Sequence, residues 1–431
     1  MAGRGDYLPR IADDQLKELL AVLPAISIEG PRAVGKTRTA LRYANTVYDL
    51  DNPVVLEEVH ADPNLLSRGI PPILIDEWQR YPPSWDIVRR AVDRDFSPGR
   101  FILTGSSRPS TPPAHSGAGR IVTLRMWTTT LAERLQHRQD VPSVSLGALL
   151  SGDHPDVSGN TDLKVEDYAR EVLAGGFPGW WNVQGRGRGL LLDGYVHRLS
   201  EHDFPLAGHR VGNPAALRRW LTAYAAAVST TASYESIRDA ATSGEGDKPA
   251  KTTTLAYRDT LEAMWVLDPL PAWLPVGSHL SRLKRSPKHH LADTALAGRL
   301  LNISFDMLMG GGSATFRGMP PGSRDRLGAF FESLVAHDLR VYAQACDARV
   351  FHMRTWNDQR KVDIVVEYEG RVIPVEVKLG TEVTRQNTRH IRWLRDRLGP
   401  GVIDAMVVTT GDRAYRDDGG IAIVPAALLT P

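Results

Sequence analysis

The chain has 431 residues, 42% hydrophobic and 24% charged, and its 52 basic against 50 acidic side chains leave a formal charge of +2. This is an ordinary globular mix that excludes overall disorder and a small stapled scaffold, and at roughly 100–200 residues per domain it predicts several domains. So small a net charge gives no whole-molecule pull toward an anionic partner; only a local basic patch could. The single cysteine, Cys346, excludes an internal disulfide and a thiol metal cluster and fits a reducing cytoplasm. No run approaches the ~18 apolar residues of a membrane span and no signal-peptide core is present, so a soluble cytoplasmic protein with no membrane partner is expected.

In chain order, the pattern predicts a helix over 16–23, strands over 24–29 and 47–50 with a helix over 36–45 between them, a strand over 72–75, a helix over 85–92, and strands over 100–104 and 120–125. Such alternation predicts a parallel sheet covered on both faces, an α/β domain placed at 1–140. Within it, Gly30-Pro31-Arg32-Ala33-Val34-Gly35-Lys36-Thr37 follows a strand, opens a helix that continues with Arg38, and fits G-x-x-x-x-G-K-[ST]. The glycines let backbone N–H groups turn onto phosphate oxygens, and the helix amino terminus adds partial positive charge. Lys36 is expected at the β/γ-phosphates and the Thr37 hydroxyl at magnesium.

Ile73-Leu74-Ile75-Asp76-Glu77 is an apolar strand that delivers two acids at its carboxyl end, where the crevices of open α/β sheets lie. Asp76 is read as a magnesium holder, direct or through water, and Glu77 as the group that orients the attacking water. The strand FILT (101–104) runs into Gly105-Ser106-Ser107, and Thr104 or Ser106 is the candidate sensor of the γ-phosphate; the sequence does not choose. Arg120 is a candidate arginine finger, in cis or from a neighbouring subunit of a homo-oligomer, with Arg108 the weaker alternative.

GPRAVGKT, LIDEWQRYPP, FILTGSS and SGAGRIVTLRMWTTTLAERL, in that order, resemble a family of prokaryotic AAA-type P-loop ATPases that carry an uncharacterised carboxyl-terminal region. Downstream, LAGGFPGW (173–180) resembles that family's glycine-glycine-aromatic-proline element, and SPKHHLADTALA (286–297) its lysine-to-aspartate segment. Trp127-Thr128-Thr129-Thr130 departs from the family's proline-leucine-serine step. The resemblance spans nearly the whole chain and implies binding of ATP or ADP with Mg2+, with slow hydrolysis.

A Ser/Gly/Asp/Pro-rich stretch over 142–161 predicts a domain boundary. The region 160–297 reads as mostly helical, broken at 185–189 and 243–249, with helix, loop, helix and short strands over 234–270 in a winged-helix order. Lys251, Thr252 and Thr253 open its recognition-type helix as candidate DNA contacts. Arg282, Lys284, Arg285, Lys288, His289 and His290 form the densest basic stretch, a solvated face or a nucleic-acid contact.

After a loop over 310–322, the region 298–431 reads as a long helix (327–343), three strands (350–353, 362–368, 371–378), a helix (384–398) and strands near 402–408 and 421–424. A turn at Glu369-Gly370 would pair Tyr368 with Arg371 and set Asp363 opposite Glu376, with Lys378 on the same face. Facing acids need neutralising, and a second divalent metal held by Asp363 and Glu376 would do so, with Lys378 assisting a metal-bound water. Pro374 suggests an edge position for its strand. Asp363 with Glu376-Val377-Lys378 resembles the PD-(D/E)-x-K nuclease pattern, and that resemblance adds Glu332, on the preceding helix, to the metal shell. The expected whole is a Mg-dependent ATPase with a winged-helix middle and a restriction-endonuclease-like tail, acting on DNA. The alternatives are an ATP-gated nuclease, or a non-catalytic regulatory, toxin–antitoxin or defence module with a protein partner.

Overall fold

The computed structural model describes residues 7–106, 117–135, 143–204, 213–242, 248–274, 286–310, 323–355 and 359–431. The first sheet is wholly parallel, in the order β2-β3-β4-β1-β5, built from β1 Ala25–Glu29, β2 Thr46–Asp49, β3 Ile73–Asp76, β4 Phe101–Gly105 and β5 Ile121–Arg125. Successive side chains feed opposite faces. Ala25, Ile73, Ile75, Phe101 and Leu103 pack with helix Pro83–Arg94, while Ile26, Ile28, Leu74 and Ile102 pack with helices Ile11–Val22 and Lys36–Ala40. Burial on both faces is why these strands read as continuous apolar runs. The helix expected over 36–45 ends at Ala40. One helix, Pro53–Ala61, went unforeseen; the Asn52 side chain starts it by accepting the Val54 N–H, with proline at its first position.

Beyond Met126 one large hydrophobic cluster joins described residues of the middle and carboxyl-terminal segments, from Trp127 to Leu429, with two smaller clusters on the other face of the second sheet. The stretch over 142–161 is docked onto the carboxyl-terminal region. β6 Val144–Ser145 pairs in parallel with β14 Leu429–Thr430, and β7 Gly159–Asn160 pairs with β12 Arg413–Arg416. The expected break at 185–189 is instead the start of helix Gly185–Arg198, where burial of Leu192 and Val196 outweighs the low helix propensity of four glycines. Helices Pro214–Ala226, Tyr234–Ala240 and Lys251–Ala263 follow, then antiparallel bridges of Leu267 with Leu291 and Leu270 with Lys288. Residues 243–247 and 311–322, within the two expected loops, lie outside the described residues, as do Arg108, Arg282, Lys284 and Arg285.

The second sheet is mixed, in the order β7-β12-β13-β11-β10-β9-β8, with β8 Arg349–Arg354, β9 Lys361–Tyr368, β10 Arg371–Lys378, β11 Met406–Thr409 and β13 Ala422–Pro425. Helix Ser323–Ala345 packs on one face and helix Arg389–Leu398 on the other. Glu369 and Gly370, at φ +49° and +75°, make the β9–β10 turn. The ladder runs from Tyr368 against Arg371 to Ile364 against Val375. β10 is an interior strand, contrary to the expectation from Pro374. It tolerates the proline because the ladder to β11 begins one residue later, at Val375 with Met406. Among the described residues no helix is long and apolar enough to cross a membrane.

Candidate functional site

The phosphate-loop sequence leaves the carboxyl end of β1. Gly30 passes so close to the Met126 carbonyl that a Cβ would collide with it, and the Met126 N–H bonds the Glu29 carbonyl at 2.7 Å. Gly35, at φ +99°, caps the helix that carries Lys36, Thr37 and Arg38. Lys36 Nζ donates to the carbonyls of Gly30 and Pro31 at 2.9 and 2.7 Å. Burial pulls its pKa down to about 8, against the opposing pull of Glu77 and Asp76. Ala33 and Arg38 line the surrounding cavity of about 630 Å3, whereas Arg32 turns outward to pair with Asp203 at 3.0 Å.

β3 brings both acids to this mouth. Thr37 Oγ1 donates to Asp76 Oδ1 at 2.8 Å, and the Thr104 hydroxyl donates to the same oxygen. Burial raises the Asp76 pKa despite those two hydrogen bonds. Thr104 also accepts the Glu77 N–H at 3.2 Å, fixing Glu77 in its left-handed backbone conformation at φ +53°. Ser106 Oγ donates to Glu77 Oε2 at 2.9 Å, and Gln79 Nε2 donates to the same oxygen. Thr104 therefore positions Asp76, and Ser106 positions Glu77, a division of labour that the sequence left open.

Arg120 does not join them. It precedes β5, level with the amino-terminal end of β1, so the length of a five-residue strand, roughly 15 Å, separates it from the loop. Its Nε pairs with Asp93 at 2.8 Å, which excludes a role at this chain's own phosphate loop in the conformation described.

Sequence reasoning missed Arg10. It is buried and bonds the Glu133 carboxylate at 3.1 Å, the Val34 carbonyl at 2.8 Å and the Trp127 carbonyl at 2.9 Å. Its partners lie 24 to 123 residues away, so no local signal marks it. It clamps the phosphate loop to the strand that leads into the middle segment.

That segment closes the other side of the cavity with Pro178, Gly179, Trp181 and Asn182. Three separate sequence elements hold this wall. Thr129 N and Oγ1 donate to the Gly176 carbonyl at 2.7 and 2.8 Å, and the Gly176 N–H donates to Asp293 at 2.7 Å. A Cβ at Gly176 would strike the Thr129 backbone, which is why the element needs glycine there.

In the carboxyl-terminal sheet the register carries Asp363 to the level of Glu376, with Lys378 beside both. Lys378 Nζ lies 2.7 Å from Glu376 and 3.5 Å from Asp363. The residues expected to form a metal shell lie among lysines. Lys288 Nζ donates to Glu332 at 2.7 Å and to the Asp363 carbonyl at 3.0 Å, and Lys361 lies 3.8 Å from Asp363. Three lysines thus lie within 4.0 Å of three acids, and among the described residues no group of three or more His, Cys, Asp and Glu is placed to hold a metal ion. Lys288, His289 and His290 are consequently buried structural groups, not parts of a basic face. Lys251 and Thr252 are exposed at the start of their helix.

Burial pushes Asp363 up, but Lys288, Lys378 and Lys361 outweigh it and hold the carboxyl well below the usual range. Glu376 goes the other way, pushed up to about 8 by burial and by Asp363. A raised carboxyl pKa favours folding below the ordinary value near 4.5, an advantage lost as pH rises toward 8. Glu376→Gln is therefore expected to gain stability relative to the parent between pH 5 and pH 9. Thermal midpoints across that range check this, and a variant that loses ground with rising pH contradicts it.

Residues 23–135 match the family described as an AAA domain. The amino-terminal domain is therefore similar to AAA domains. Residues 165–306 and 327–429 of the same chain match two domains of unknown function, DUF8612 and DUF4143. Two uncharacterized proteins, Rv2008c of Mycobacterium tuberculosis and Mb2031c of Mycobacterium bovis, are each 27% identical over 380 residues, covering 86% of this chain and 73% of their own. The Walker-type ATPase PABY2304 of Pyrococcus abyssi aligns with 69% of this chain and 97% of its own, at 15% identity and a TM-score of 0.41.

Proposed function

We propose that the chain is a magnesium-dependent ATPase whose nucleotide pocket is completed by the middle segment. The observation that supports this best is the convergence of Thr37 Oγ1 and Asp76 Oδ1, 2.8 Å apart, beneath the buried Lys36. A hydroxyl and a carboxylate are hard oxygen donors that suit magnesium. Bound with ATP, that cation would offset charge on the β- and γ-phosphate oxygens. Lys36 supplies an ammonium to the same phosphates. Thr104 keeps Asp76 oriented, and Glu77, aligned by Ser106 and Gln79, orients a water and takes its proton.

The acid–lysine cluster of the carboxyl-terminal region is inferred to be an ion-paired core, because Lys288 and Lys378 lie 2.7 Å from Glu332 and Glu376. Nucleotide state would reach the middle segment through the Arg32–Asp203 pair and the Pro178–Asn182 wall.

The decisive experiment is equilibrium binding of Mg-ATP. Lys36→Ala is expected to weaken affinity by about 100-fold or more, and unchanged affinity overturns the proposal. A second readout follows from the lowered Lys36 pKa. The side chain is charged below about 8, so affinity is expected to hold to that pH and then fall toward pH 10. A flat profile to pH 9.5 counts against the assigned role of Lys36.

A further inference from the structure

A second and larger cavity, about 930 Å3, lies within the middle segment beside the nucleotide pocket. That volume is at the upper end for small-molecule sites. Trp181 and Asn182 line both cavities. Phe177 and Trp180 also line the second one, their ring centroids 4.2 Å apart. Four arginines face it, against the acids Asp162, Asp167 and Glu171. Arg134 pairs with Glu171 at 2.8 Å, Arg170 with Asp167 at 2.8 Å, and Arg299 with Asp193. Arg188 differs. Among the described residues it has no ion pair, and its guanidinium donates to the Val183 and Trp181 carbonyls at 2.8 and 3.4 Å.

Gly189 lines the same cavity. It lies inside helix Gly185–Arg198, where glycine costs about 1 kcal/mol relative to alanine. No neighbour demands it, since a Cβ would meet only the Arg299 guanidinium, at an ordinary 3.6 Å. The missing side chain leaves helix backbone open to the cavity one residue from Arg188.

We propose that this cavity binds a nucleoside phosphate, the base against the tryptophan wall and the phosphate on Arg188. Aromatic faces and guanidinium planes are the surfaces on which bases stack, and a guanidinium with five N–H donors, two of its nitrogens on carbonyls and none in an ion pair, retains donors for phosphate. The site goes beyond the ATPase reading and stands or falls separately from it. The ligand's source is a free nucleotide or the end of a nucleic-acid strand. Because the two sites share a wall, each ligand is expected to change the other's affinity by the same factor.

The test is calorimetric titration of the full chain with AMP, and in a parallel arm with a single-stranded oligo-dA dodecamer. Lys36→Ala protein is expected to keep an AMP site, and Arg188→Glu and Gly189→Leu to weaken it at least tenfold. Gly189→Leu adds helix propensity and lies outside the nucleotide pocket, so it keeps the test informative if Arg188→Glu fails to fold. Tighter binding of AMP assigns the site to free nucleotide, and tighter binding of the dodecamer assigns it to a strand. No AMP binding to Lys36→Ala, or undiminished binding to Gly189→Leu, overturns the proposal. Identical ATP affinity with and without AMP removes the coupling. If Lys36→Ala leaves ATP binding intact, the ATPase reading fails while this site is unaffected.

Discussion

Glu77→Gln is expected to lower ATP turnover by about 100-fold or more, while nucleotide affinity stays within about threefold of the parent. The amide can still accept the Ser106 hydroxyl that now reaches Glu77 Oε2, so the local geometry survives. What it loses is the ability to take a proton. Asp76→Asn is the informative contrast. Asp76 accepts both Thr37 and Thr104, so its replacement disturbs the oxygen set proposed for magnesium and is expected to weaken affinity as well as rate. Steady-state turnover together with equilibrium binding separates the two. Undiminished turnover in Glu77→Gln removes Glu77 from the chemistry.

The largest stability effect is expected at Lys288. Lys288→Met leaves Glu332 and Asp363 buried without their shared ammonium, and breaking a buried pair in this way costs about 3–5 kcal/mol. Burial alone would lower the Lys288 pKa, but Glu332 and Asp363 more than reverse this and leave it above its ordinary value. A raised lysine contributes stability at every pH below its unfolded value, so the parent keeps this contribution through the neutral range. In the variant the acids can recover only by binding protons. The deficit is therefore expected to shrink as pH falls from 8.5 to 5.5, which urea unfolding at the two values measures. A deficit below about 1 kcal/mol at pH 8.5 contradicts the ion-paired core. Recovery of the variant with manganese would reveal a cation position that the lysine fills.

Gly30 to Thr37 and Ile73 to Glu77 were legible because each is a continuous stretch with its own chemistry. A glycine-rich turn, an ammonium and a hydroxyl sit in one loop, and two acids end one apolar strand. The same holds for the β9–β10 hairpin, where two turn residues set a register that carries Asp363 to Glu376. Lys288 was legible only as a charge in a basic run. Its meaning depends on Glu332 and Asp363, which are 44 and 75 residues away. Arg120 precedes its strand, and in a parallel sheet that places it at the end opposite the phosphate loop of the same chain.

Strand periodicity and motif spacing act over a few residues, and they suffice to specify the parallel amino-terminal sheet and the set of groups at its mouth. What surrounds those groups follows from contacts between segments far apart in the chain. Gly176, Asp293 and Thr129 meet to wall the phosphate-loop cavity, Arg10 ties its loop to the middle segment, and Lys288, Lys361 and Lys378 gather around Glu332, Asp363 and Glu376. Each of those outcomes depends on packing between distant parts of the chain, and burial there sets charge and pairing in ways that local spacing does not encode.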